Sequence, residues 1–168
     1  MSYSTPQVLY HWLTAALLVV MAGTGLAYSY ELADAGAMRV HQIAGQGLIV
    51  VLVLRLATRL IRGAPPGSSA HAGWERRLAH LVHIGLYATL FAFVVTGYVS
   101  ASAESRNALL APVGLAFARS DTGELLLEIH YLLKWVLLAF FALHLGGALK
   151  HHFIDRDGTL SRMSLSRK

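Results

Sequence analysis

The sequence predicts an all-α integral membrane protein, a four-helix bundle with both termini in the cytoplasm. Three observations carry that expectation. The chain of 168 residues is 55% hydrophobic and only 14% charged, with a mean hydropathy of +0.53, which leaves too little polar surface for a soluble domain of this size. Four stretches, residues 8–28, 39–60, 78–101 and 125–149, reach the roughly 20 apolar residues needed to cross a bilayer at about 1.5 Å of rise each. The basic residues are distributed unevenly between the two sides. Arg55, Arg59, Arg62, Arg76, Arg77, Lys150, Arg156, Arg162, Arg167 and Lys168 fall at the end of the second stretch, in the loop after it or in the tail. Those segments share one side of a four-span chain, and an excess of Lys and Arg marks the cytoplasmic side. The opposite side holds Arg39, Arg106 and Arg119, with Lys134 a little inside the fourth stretch.

The first stretch begins within ten residues of Met1, but it is long for a signal peptide and lacks a basic leader, so it is expected to stay in the protein. The connection from Glu31 to Gly36 is short and acidic, which makes the first two helices antiparallel neighbours. From Arg62 to Ser69, with Pro65, Pro66 and Gly67, the chain reads as a cytoplasmic linker that ends near Trp74. The third connection, Ser102 to Glu124, is the long one. It contains Pro112, Gly114 and a semi-apolar stretch from Leu109 to Phe117 suited to lie on the membrane surface. No internal repeat is visible, and residues 1–168 read as a single domain.

Composition also excludes chemistries. With no cysteine, the chain can form no disulfide, thiolate metal site or covalent haem attachment. The net charge of +5 comes without a basic patch interleaved with aromatics, so nucleic acid is not expected as a partner. Nine histidines in so apolar a chain are the feature left to explain.

A titratable side chain in a spanning helix is costly and turns toward the bundle interior, where it marks function. His130 and His144 are fourteen residues apart on the fourth helix, about 21 Å of rise and roughly 40° of rotation, so they share one face at two depths. His41, near the outer start of the second helix, matches His130 in depth. His11, near the inner start of the first, matches His144. One imidazole pair per leaflet is what two haems held edgewise between helices need. The pairs lie too far from each other to converge on one zinc or copper ion, whose bonds to nitrogen are about 2 Å. Each histidine alone also fits a core side chain hydrogen-bonded across helices. Gly23, Gly25, Gly45, Gly146 and Gly147 would let a flat macrocycle approach the backbone, or simply pack helices.

His151, seven residues after His144 on the same stripe, suits a quinone contact, and His83 suits either that role or rival ligation against His144. His80 and His152 read as interfacial, and His71 as a loop residue. For haem propionates the cationic candidates are Arg39, Lys134 and Arg119 outside, with Arg55, Arg59 and Lys150 inside, although snorkelling to the interface would also place them there.

The ordered set His11-Trp12, Arg39-Val40-His41 with Gly45, Leu78-Ala79-His80-Leu81-Val82-His83, Glu128-Ile129-His130, His144 and Lys150-His151-His152-Phe153 resembles the bacterial cytochrome b561 family. The resemblance spans nearly the whole chain. It rests on the ordered set, since no single motif is specific. It implies two non-covalent haems b, ligated by His11 with His144 and by His41 with His130, the pairing already reached by depth. The same core is similar to the cytochrome b subunits of membrane hydrogenases and formate dehydrogenases.

The resulting expectation is electron transfer across the inner membrane, from a periplasmic donor to the quinone pool. Within the family, superoxide is the suggested donor for a quinone-linked oxidoreductase. The outer segments nevertheless carry six acids against four bases, which does not favour an anion. The alternative is a haem subunit docking a separate dehydrogenase or periplasmic electron carrier through the long third connection. A haem-free transporter would be colourless. No carboxylate lies centrally in a span to relay protons.

Overall fold

A computed structural model describes residues 3–63, 65, 72–104 and 116–164. His71, Arg106, Arg167 and Lys168, most of the linker after Gly63 and the 109–115 part of the semi-apolar stretch lie outside the described residues. The chain forms α1 (Thr5–Ser29), α2 (Ala35–Arg62), α3 (Gly73–Glu104) and α4 (Asp121–Leu149), and among the described residues there is no strand. All four are long and apolar enough to cross a membrane. The apolar stretches read from the sequence fall inside them, and each helix starts several residues earlier than its stretch. A 3-10 turn at Ala116–Arg119 leads into α4, and a π-helical segment, Lys150–Asp155, carries α4 onward.

Local chemistry sets the ends. Ser4 precedes α1 in extended conformation, and its backbone N–H donates to Gln7 Oε1 at 3.0 Å, which ties the first turn. After Ser29 the chain closes a Schellman turn. Glu31 N–H donates to Tyr28 O and Leu32 N–H to Ala27 O, with Glu31 itself left-handed at φ 56. Asp34 then caps α2, its carboxylate accepting from Gly36 N–H at 2.8 Å. Gly63 closes α2 at φ 68, where a Cβ would be strained. Asp121 and Glu124 lie in the first turn of α4, complementing its dipole.

Two hairpins result, α1 on α2 and α3 on α4, meeting mainly through α2 and α3. The end where α1 begins and α4 finishes is here the near end; the α1–α2 turn lies at the far end. Met21, Ala44, Leu48, Leu52, Leu90, Phe93 and Val94 form the core, drawn from α1, α2 and α3. Along α4 only Gly123 is buried among the described residues. Side chains such as Val19, Val53, Leu81 and Leu132 lie outward, where lipid tails are as apolar as they are. Association therefore depends on packing and on satisfied polar groups more than on burial from water. Hydroxyls follow that rule: Thr14, Thr24, Thr96 and Ser100 each donate to the carbonyl four residues back, which leaves none of these four donors bare in hydrocarbon.

Candidate functional site

At the far end, His41 of α2 and His130 of α4 place their ring centres 6.3 Å apart with planes at 85°. Each ring is fixed through Nδ1. That of His41 lies 2.9 Å from Met21 O, and that of His130 lies 3.1 Å from Phe93 O and 3.0 Å from Thr96 Oγ1. A carbonyl only accepts, so in both rings Nδ1 donates and carries the proton, which leaves the lone pair on Nε2. That is the tautomer a metal-binding imidazole needs. The Phe93 ring backs His130, its centre 4.1 Å away. Glycines clear the space: a Cβ on Gly25 would stand 2.9 Å from the His41 ring, and one on Gly97 2.9 Å from His130 Cε1.

At the near end His11 of α1 and His144 of α4 lie 6.1 Å apart between ring centres, and His83 of α3 is also there, 5.2 Å from His144. Arg55 approaches His11 Nδ1 at 3.0 Å while its guanidinium lies over the Tyr87 ring at 5.2 Å. The next residue, Trp12, sits edge-on to His11 and donates Nε1–H to Met163 O at 2.7 Å. A recess of about 540 Å³ opens beside it, lined by Trp12, His152, Leu160, Ser161, Met163 and Ser164.

Two imidazoles on opposite sides of one iron, each nitrogen about 2 Å away, put their ring centres roughly 6 Å apart. Both pairs have that spacing, and α4, which supplies one ring to each, packs chiefly on α3 rather than on the helices it faces. The ring spacing at both ends and the Nδ1–H tautomers at the far end fit bis-imidazole ligation of a haem.

The remaining candidates are placed less uniformly. Lys134 lies over the Tyr131 and Trp135 rings at 5.6 and 5.4 Å, and Arg39 and Arg119 are exposed. Lys150 is engaged by Glu75 at 2.9 Å and Asp155 at 2.7 Å, and Arg59 is exposed. His151, in the π segment, turns to Asp155 at 2.8 Å and Asp157 at 3.1 Å, so the recess is lined by His152 in its place. Sequence reading passed over Thr96, Phe93, Gly97 and Tyr87. The small residue Gly97 in an apolar helix was the available signal for one of them; the Met21 and Phe93 carbonyls that fix the rings have none.

The sequence profile of the family described as prokaryotic cytochrome b561 matches residues 2–164. Cytochrome b561 homolog 2 of Escherichia coli (strain K12) is 30% identical over 96% of this chain and 90% of its own length. Cytochrome b561 homolog 1 of the same organism is 28% identical over 99% and 98%. A probable superoxide oxidase, CybB, of Yersinia pestis is 27% identical over 96% and 94%.

Proposed function

Because this chain belongs to the prokaryotic cytochrome b561 family, and so is a multi-pass bacterial membrane protein that binds b-type haem and carries electrons, we propose that it holds two haems and passes electrons from superoxide to quinone. The observation that carries the reading is the pair of imidazole pairs at ring-centre separations of 6.1 and 6.3 Å. On this reading His41 and His130 form the outer site and His11 and His144 the inner one, in the inner membrane with both termini cytoplasmic.

Haem, when bound, supplies a one-electron couple. The chain does the positioning. His130 and His144 set two relay points about 21 Å of helix rise apart. Met21 O, Phe93 O and Thr96 hold the outer imidazoles as Nδ1–H donors, so their orientation is settled before any ligand arrives. His41 with His130 and His11 with His144 would hold the haems, and imidazole on both sides would favour outer-sphere electron transfer over oxygen binding. At the outer site two superoxide ions each lose one electron and leave as dioxygen. At the inner end one quinone takes those two electrons and two protons to become quinol. The recess beside Trp12 suits the quinone ring, since it is mostly apolar, has His152 as a polar contact and adjoins the residue next to His11. Superoxide is suggested by the Yersinia pestis relative, a probable superoxide oxidase.

Two measurements test this. Haem quantitation should give two per chain, and His130→Ala should leave one, whereas loss of both or neither would reject the pairing. Mixing oxidised, quinone-free protein with superoxide should reduce the haem at once, and an unchanged spectrum would reject the donor.

A further inference from the structure

Beyond α4 the chain doubles back. Arg156 at φ 52 and Gly158 at φ 74 are both left-handed, and between them Asp157 N–H donates to His151 O at 3.3 Å. Residues 158–164 therefore leave the line of α4 as a separate strap. The strap is tied within itself. Thr159 N–H donates to Asp157 Oδ1 at 2.8 Å and Ser161 Oγ–H to Gly158 O at 2.7 Å, while Arg162 N–H donates to Gly158 O at 3.3 Å and Ser164 N–H to Ser161 O at 3.1 Å. Among the described residues no helix packs broadly on its Leu160–Met163 turn. What reaches it from α1 is the half-exposed Trp12, whose Nε1–H donates to Met163 O at 2.7 Å.

Both ends of that bond line the recess beside His11. Leu160, Ser161, Met163 and Ser164 supply the strap side, and Trp12 and His152 the side that belongs to α1 and the π segment. With most of its lining on the strap, the cavity of about 540 Å³ is made by the strap lying against Trp12. We propose that residues 158–164 are a lid over the quinone, hinged at Arg156 and Gly158, and that Trp12 is the positioning residue that latches it. The proposal rests on the quinone reading above. Electrons that come one at a time reach an acceptor that needs two, so the acceptor must stay bound between deliveries, and a closed lid keeps it there. An indole N–H only donates, which suits it to hold a backbone carbonyl. One neutral hydrogen bond biases such an equilibrium by roughly two- to tenfold, so the lid opens to exchange quinone for quinol while α4 stays folded.

The test uses the purified full chain in detergent, with ubiquinone-1 as the probe, its binding measured by equilibrium dialysis, and trypsin cleavage after Arg162 followed by mass spectrometry. Ubiquinone-1 at ten times its Kd should slow that cleavage about tenfold if it binds only under the closed lid, while cleavage after Arg62, outside the strap, stays unchanged. Trp12→Phe, which keeps a flat ring and loses the donor, should speed cleavage after Arg162 roughly two- to tenfold without quinone. Binding with no slowing overturns the lid and leaves the quinone reading standing. An unchanged rate in Trp12→Phe overturns the latch. Should Trp12→Phe lose its fold, reported by fast cleavage after Arg62, Gly158→Ala, which strains the left-handed bend, is read the same way. No binding of ubiquinone-1 rejects the quinone reading, and the lid with it.

Discussion

Gly25 and Gly97 matter for what they leave out. A methyl on either would press into the His41 or His130 ring at 2.9 Å, tighter than carbon contacts tolerate, and the ring would have to turn off its carbonyl. Gly25→Ala and Gly97→Ala should therefore lower haem occupancy at the far end, while Gly23→Ala, which meets nothing within 4 Å, should leave it unchanged; titrating haem into each apoprotein measures this. Thr96→Val removes one of the two groups at His130 Nδ1 but keeps Phe93 O. Its expected cost is at the lower end of the range for an outer-shell partner, about tenfold in affinity.

Among elements, the helices were legible because a bilayer imposes a length, and 168 residues with four apolar stretches leave few other solutions. That His41 comes near His130 and His11 near His144 was legible because rise per residue converts spacing into depth. What escaped was local: Glu31 in a left-handed position that glycine usually fills, the π segment after Leu149, and imidazole partners that are backbone carbonyls. The first gives a prediction. Glu31→Gly should stabilise the α1–α2 hairpin by about 1 kcal/mol, because a left-handed conformation costs an L side chain roughly 1–2 kcal/mol; thermal unfolding in detergent measures it. Packing should outweigh the ion pairs. Leu48→Ala, at a fully buried site, should lower the midpoint more than Val19→Ala, at a site 70% exposed, because detergent or lipid can refill only the second. Glu75→Gln, which removes a solvent-screened bridge to Lys150, should move the midpoint less than Leu48→Ala.

For the whole molecule, the charge asymmetry predicts an orientation that can be tested directly. The chain has no cysteine, so single cysteines report sidedness without background. Tyr30→Cys at the far end should be labelled by an impermeant thiol reagent on intact spheroplasts, and Ser164→Cys only after lysis. The reverse pattern would invert the electron path. The two hairpins, joined chiefly where α2 meets α3, also bear on the protein's lifetime in the cell. On the proposed two-haem reading, groups bridging α1 and α2 to α4 at two depths would act as rivets across that seam, and a ligand at a hundredfold excess over its Kd adds about 2.7 kcal/mol for each site filled. Cofactor supply then governs abundance: a chain made when haem synthesis is blocked opens along the seam and is degraded sooner, which pulse-chase measures as a shortened half-life.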